Sequence, residues 1–160
     1  MSEVNVGIIG AGRCDSDRIR NIAVEVGELL AEKEALMICG GKGGVMAAAS
    51  RGVENAGGIS LGILPERDRS GGNEHLSYGL ATGLGQGRNL LIVLNSDILI
   101  AIGGGYGTLS EIALAQKHEK PVILVHTWPL EEIDYDFDRS LLYRAHNAEQ
   151  AVEKAFNLLE

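Results

Sequence analysis

A three-layer α/β fold, an open parallel sheet with helices on both faces, is predicted by two patterns in the sequence. Short apolar runs alternate with stretches of helical periodicity along the 160-residue chain. Three of those runs, at 4–9, 35–39 and 98–102, end in glycine clusters from which the next helical stretch begins. Parallel strands need a crossover long enough for a helix, and right-handed crossovers cover both faces of the sheet. The expected architecture is therefore Rossmann-like. The length suits one domain, residues 1–160, able to bury a substantial core without disulfides or metal.

Residues 4–9 are the first strand candidate, ending at Gly10-Ala11-Gly12; Asp15 or Ser16 caps a helix to about residue 33. The unit then repeats, with a buried strand at 35–39, the turn Gly40-Gly41-Lys42-Gly43-Gly44, and a helix from 45 to about 55. A third strand at 59–64 is introduced by Gly57-Gly58 and closed by Pro65, which cannot donate to a ladder. Residues 66–74 are polar and contain Gly71-Gly72, the mark of a mobile loop without structure of its own, and a weak strand follows within 76–81. The runs 90–94 and 98–102 suit either a hairpin around Asn95-Ser96-Asp97 or a helix followed by a strand. The alternation on either side selects a helix over about 86–94. A helix at 108–117 leads through Pro121 into a last strand at 122–125, and a loop over 126–138 carries five acids. Ala151, Val152, Ala155, Phe156 and Leu159 fall on one face of a closing helix over 147–159, with Asn147 as its cap.

Hydrophobic residues make up 45% and charged residues 22%, the balance of a globular chain. A net charge of −8 disfavours nucleic acid and anionic membranes as partners, since both require surplus Lys and Arg at a surface. Cys14 and Cys39 lack metal or redox spacing and read as reduced thiols. The start has no targeting pattern and no apolar stretch reaches membrane-spanning length, so a cytoplasmic protein is expected. His75, His118, His126 and His146 share no ligand spacing, and Asp134, Asp136 and Asp138, alternating with Tyr135 and Phe137, lack the glycine and distal glutamate of a calcium loop. No metal site is expected.

The glycines point to chemistry. Gly10 and Gly12, then Gly40, Gly41, Gly43 and Gly44, then Gly103, Gly104, Gly105 and Gly107 all follow strands, where ligands of open α/β sheets bind. Each glycine costs backbone entropy and packs no side chain. Such clusters make sense where a ligand must approach the backbone, and the N–H groups of the following helix then hold an anion, phosphate being the usual one. The dinucleotide fingerprint fails, because Asp15 stands at its third glycine and the second strand ends in Cys39-Gly40 without a ribose-binding acid. No Gly-x-x-x-x-Gly-Lys-Ser/Thr occurs. The expected ligand is a phosphorylated small molecule, smaller than a dinucleotide.

Residues 40–46, Arg88 and the run Gly103-Gly104-Gly105-Tyr106-Gly107-Thr108-Leu109-Ser110-Glu111 resemble the "lysine decarboxylase-like" family, which includes the lonely-guy-type cytokinin phosphoribohydrolases. The family pattern is Pro-Gly-Gly-x-Gly-Thr-x-x-Glu with an upstream Arg-Lys pair. Gly103 replaces its proline and Asn89 its lysine. These departures and the short chain are more similar to the branch of molybdenum-cofactor carrier proteins. The resemblance implies phosphate binding, a nucleotide or molybdopterin-type ligand, no obligatory cofactor, and a homodimer or higher homo-oligomer. A helix over 90–94 that is apolar around its circumference suits such contact. By position, Arg88 and Glu111 inherit roles at the N-glycosidic bond of a nucleoside 5'-monophosphate. A carboxylate there binds ribose hydroxyls and stabilises oxocarbenium character, while the arginine positions substrate. Lysine decarboxylation is not expected, since nothing marks a lysine placed to hold pyridoxal phosphate.

Each residue also has a plainer role open to it. Thr108 and Glu111 fit a capping box, in which Glu111 folds back onto the helix start rather than toward Arg88. Arg88 suits a structural ion pair. Lys42 and Arg13 either touch phosphate or are solvated, and Asn89 either meets the ligand or bonds within its helix.

Overall fold

The computed structural model describes residues 4–134 and 141–160. The chain runs β1 (Asn5–Gly10), α1 (Asp17–Glu32), β2 (Leu36–Cys39), α2 (Gly44–Asn55), β3 (Ile59–Leu64), β4 (Tyr78–Ala81), α3 (Asn89–Leu94), β5 (Ile98–Ile102), α4 (Tyr106–Lys117), β6 (Val122–Val125), β7 (Leu142–Ala145) and α5 (Ala148–Leu159). Short 3₁₀ turns lie at Gly85–Arg88 and Leu130–Glu132. The strands form one sheet, ordered β4-β3-β2-β1-β5-β6-β7, and every neighbouring pair is parallel. This is the expected Rossmann-like three-layer arrangement. No helix among the described residues is long and apolar enough to cross a membrane.

One apolar layer joins α1, α2 and α5 to the sheet through Val26, Leu30, Met37, Ile100 and Val152; the other joins α3 and α4 through Ile92, Leu99, Ile112 and Leu124. The backbones of α1 and α2 touch. A Cβ on Gly27 would lie 2.1 Å from Ala49 O, and one on Gly52 only 1.9 Å from Val24 O. The contact sets the β1–α1 and β2–α2 turns side by side, where Val45 N–H donates to Ala11 O at 3.0 Å. Ser16 is the cap of α1, its Oγ accepting from Ile19 N–H at 3.3 Å. Asn147 caps α5 in the same way, accepting from Gln150 N–H at 2.8 Å. Ala151, Val152 and Ala155 are buried as predicted, whereas Leu159 stays exposed at the helix end.

Three readings change. The sheet does not stop at β6: β7 pairs with it, an edge strand whose Leu142-Tyr143-Arg144-Ala145 carries no apolar run because only its two ends are buried. Arg144 is held there by Glu131 and by the carbonyls of Thr127 and Trp128. Next, α4 starts at Tyr106 with Gly105 as N-cap, so Thr108 lies inside its first turn and is not the cap. Finally, the loop between β3 and β4 has no helix or strand of its own, yet it is tied to the Gly40–Gly44 turn. Asn73 N–H donates to Gly41 O at 2.9 Å, and Asn73 Nδ2 to Lys42 O at 3.1 Å. The hairpin alternative falls away, because α3 is helical and β5 runs parallel to β1 and β6. Of the acidic stretch, Asp134 is exposed; Tyr135, Asp136, Phe137 and Asp138 lie outside the described residues.

Candidate functional site

From β1 the chain steps outward through β2 and β3 to β4, and from β5 it steps the opposite way through β6 to β7. The turns after β1 and β5 therefore diverge and open a crevice at the carboxyl ends of the strands. The crevice has a volume of about 360 Å³. Into it converge Gly10 and Gly12 from the first turn, Gly40 from the second, and Gly105, Gly107 and Thr108 from the start of α4. Arg88 enters from the turn before α3, Asn89 from the first residue of α3, and Glu111 from the second turn of α4.

The glycines divide by what surrounds them. A Cβ on Gly105 or Gly107 meets nothing within 4 Å, and one on Gly12 meets only Met46 Cε at 3.7 Å, so these three leave open space for a ligand. At Gly10 a Cβ would strike Val45 Cγ1 at 2.5 Å, and at Gly40 it would stand 3.0 Å from Arg88 Nη2. These two make room for the protein's own packing at the crevice wall. Gly41, Gly43 and Gly44 lie behind that wall: Gly44, at φ +60°, presses so closely on Ala11 O that a Cβ would come to 2.2 Å. Gly103 and Gly104 face elsewhere, into a cavity of about 300 Å³ with His126, Thr127 and Trp128.

In the first turn of α4, the N–H groups of Tyr106, Gly107 and Thr108 precede any intrahelical acceptor and carry the positive end of the helix dipole. Thr108 is 2% exposed, and its Oγ1 accepts from Gly105 N–H at 3.3 Å, which shapes the turn without consuming those donors.

Arg88 is buried but forms no ion pair among the described residues. Its Nε donates to Ile63 O at 2.8 Å, and its Nη atoms donate to Gly40 O at 3.3 Å, Gly85 O at 3.4 Å and Asn89 Oδ1 at 3.4 Å. The carbonyls orient the guanidinium and leave its net charge uncancelled, which replaces the ion-pair alternative. Glu111, also buried, does not fold back to the helix start. Burial pushes its carboxyl up to about 8, while the nearby Arg88 charge pulls it down. Near neutral pH the crevice thus holds a fixed cation beside a protonated acid.

Asn89 serves the wall: its Nδ2 donates to Ser110 Oγ at 3.2 Å, tying α3 to α4 while its Oδ1 steadies Arg88. Lys42 lines the crevice but is engaged, paired with Glu66 and donating to Gly71 O at 2.7 Å. Arg13 lies outside it, beyond Gly12. Met46, Gln86 and Tyr106 also line the crevice, and nothing in the sequence marks Met46 or Gln86 as a site residue. Tyr106, 93% exposed at the first position of α4, did carry a signal, an aromatic ring set between two glycines.

The sequence profile of the SLOG cluster4 family matches residues 3–156. The cytokinin riboside 5'-monophosphate phosphoribohydrolase LOG5 of Arabidopsis thaliana is 33% identical over 166 aligned residues, covering 91% of this chain and 72% of that protein. Among solved structures, the molybdenum cofactor binding protein from Rippkaea orientalis superposes with a TM-score of 0.93 at 34% identity, over 100% of this chain and 99% of its own. The molybdenum cofactor carrier protein of Chlamydomonas reinhardtii gives a TM-score of 0.87 at 33% identity, covering 98% of each chain.

Proposed function

The chain belongs to the SLOG cluster4 family, and on that premise we propose that it binds a phosphorylated, nucleotide-like small molecule, such as a molybdopterin-type pterin phosphate, as a carrier-type protein. One observation carries this reading: the uncancelled charge of Arg88 and the free first-turn donors of α4 face one crevice. A phosphate oxygen set against Tyr106, Gly107 and Thr108 N–H receives the hydrogen bonds and dipole field that helix starts offer anions. The rest of a pterin or nucleoside then lies toward Gly12, Met46 and Gln86, and the ring of Tyr106 stands free to stack on it. The similarity to cofactor-binding and carrier proteins over the whole chain supports this reading.

A second reading, hydrolysis of a nucleoside 5'-monophosphate to base and ribose 5-phosphate, is favoured by the state of Glu111. A protonated carboxyl can give its proton to the departing base as the N-glycosidic bond breaks; water then adds to the ribose carbon and returns its spare proton to the Glu111 carboxylate, while Arg88 holds the substrate. Asn89 stands where the hydrolase pattern has lysine and is spent on Ser110 and Arg88, so the crevice keeps one cation fewer. The similarity to LOG5 supports this second reading.

Calorimetry with pterin phosphates and nucleoside monophosphates, together with chromatographic assay of released base, separates the two. The carrier reading expects binding by wild type, loss of binding in Gly107→Asp, and no base released from any monophosphate. Base release abolished by Glu111→Ala selects the enzyme, and absence of phosphate-dependent binding overturns both. Gly107→Asp suits the purpose because its Cβ meets nothing and its carboxylate takes the place of the anion.

Two further assignments belong to this proposal. The unpaired thiols Cys14 and Cys39 suit a cytoplasmic setting. The protein acts as a homo-oligomer, a second copy covering the exposed Ile59, Tyr78 and Leu80 at the β3–β4 edge of the sheet.

A further inference from the structure

We propose that the groove between α1 and α2, across the Gly12 turn from the crevice, binds a second phosphate group or comparable oxyanion of the same ligand. The groove has a volume of about 370 Å³, and its lining includes Gly12, Arg13, Arg20, Gly44, Arg51 and His75. Three arginines thus line one concavity of a chain whose net charge is −8. Three acids stand nearby, and none of them pairs with Arg13 or Arg51, both of which are exposed. Asp17 is engaged by Arg20 at 2.6 Å, and Arg20 also donates to Cys14 O at 2.7 Å. Glu54 and Glu74 lie on His75, at 2.6 Å and 3.6 Å. Arg13 and Arg51 have no hydrogen-bond or ion-pair partner among the described residues. The fork of a guanidinium matches phosphate oxygens in pairs, so the two unpaired arginines are suited to clamp one such group.

The groove adjoins the crevice at Gly12. Gly12 lines both, and the space beside it is open, since a Cβ there would meet only Met46 Cε at 3.7 Å. Gly44, the first residue of α2, lies in the groove wall, and Arg51 follows two turns later, roughly 10 Å along the axis. A ligand crossing Gly12 therefore meets positive charge at both ends. That the groove binds an oxyanion stands on its own geometry; that this group belongs to a ligand with two phosphates rests on the crevice reading above.

The probes are inorganic pyrophosphate, followed by amide chemical shifts, and then adenosine 5'-monophosphate, adenosine diphosphate and adenosine 3',5'-bisphosphate by calorimetry. Pyrophosphate is expected to shift the amides of Arg13, Cys14 and Gly44 in wild type and in Gly107→Asp, but not in Arg13→Ala/Arg51→Ala. Both arginines lack partners, so the double variant is expected to keep its other amide positions and its affinity for the monophosphate. At least one doubly phosphorylated nucleotide should bind wild type about tenfold more tightly than the monophosphate, with that gain lost in the double variant. Absent shifts in the groove, shifts unchanged in the double variant, or shifts abolished by Gly107→Asp overturn the groove site. Equal affinity for all three nucleotides overturns the two-phosphate ligand. Groove shifts without any response of Tyr106, Gly107 and Thr108 to the monophosphate support the groove and overturn the crevice reading instead.

Discussion

Glu111 is the residue whose state is most open to measurement. Its carboxyl is raised from its ordinary value near 4.5 to about 8, so the folded protein holds a proton that the unfolded chain has released across that interval. The sign follows from linkage: stability from this group is fully present below about pH 4.5 and is lost as pH rises toward 8. Glu111→Gln removes the ionising group while keeping its shape. Urea unfolding of the variant should lack this share of the decline and gain on the order of a few kcal/mol over wild type above pH 8. A difference between variant and wild type that does not grow from pH 5 to pH 8 would contradict burial of the carboxyl. The same proton bears on binding, because an anion beside Arg88 is compatible with neutral Glu111 and repelled by its carboxylate. Phosphate affinity measured by calorimetry should therefore fall as pH rises through 8 in wild type, and the variant should lack that fall.

Among the elements, the α1–α2 pair decides whether the crevice exists. Their backbones meet at Gly27 and Gly52, and that closeness sets the first and second turns together, with Ala11 O accepting from Val45 N–H. Gly52→Ala places a methyl 1.9 Å from Val24 O, a backbone atom that cannot turn aside. Overpacking of this kind costs about 1–3 kcal/mol, against a gain of roughly 0.5–1 kcal/mol from helix propensity. A net loss of stability in thermal or urea unfolding, accompanied by weaker ligand binding, is expected. A variant as stable as wild type would mean that the helices do not touch there. Helix α4 contributes differently, through where it starts. With Gly105 as N-cap, Glu111 lies beyond the first turn and faces the crevice; with Thr108 as N-cap it would have stood at the position that folds back.

Across the whole molecule, one half of the sheet is unevenly covered. The strand register puts Leu36, Ile59, Leu61, Tyr78 and Leu80 on the same face, and of these Ile59, Tyr78 and Leu80 are 53%, 66% and 51% exposed. The crossover from β3 to β4 carries no helix to lie over them, and α3 spans only Asn89–Leu94. Parallel sheets are otherwise covered on both faces, and an exposed apolar area of this kind marks an interaction surface. Analytical ultracentrifugation should find a dimer or larger assembly that Tyr78→Glu/Leu80→Glu converts to monomer with its fold intact. A wild-type monomer at micromolar concentration would overturn the assignment.

The sequence by itself determined the alternation of strands and helices, the placing of three glycine turns at strand ends, and the family to which Arg88 and Glu111 belong. Those features are local: hydrophobic period, chain stiffness and motif spacing are written residue by residue. It did not distinguish the glycines that face a ligand from those that admit another backbone. Gly105 and Gly44 read alike, yet one borders open space and the other Ala11 O. Nor did it reveal β7, whose Arg144 is held by contacts with Thr127, Trp128 and Glu131. The tertiary structure alone decided that Arg88 is oriented by carbonyls and that Glu111 is turned inward, where burial raises its carboxyl. Burial and charge proximity there come from β2, β3 and α4 meeting at one point, residues 40, 63, 88 and 111, far apart along the chain.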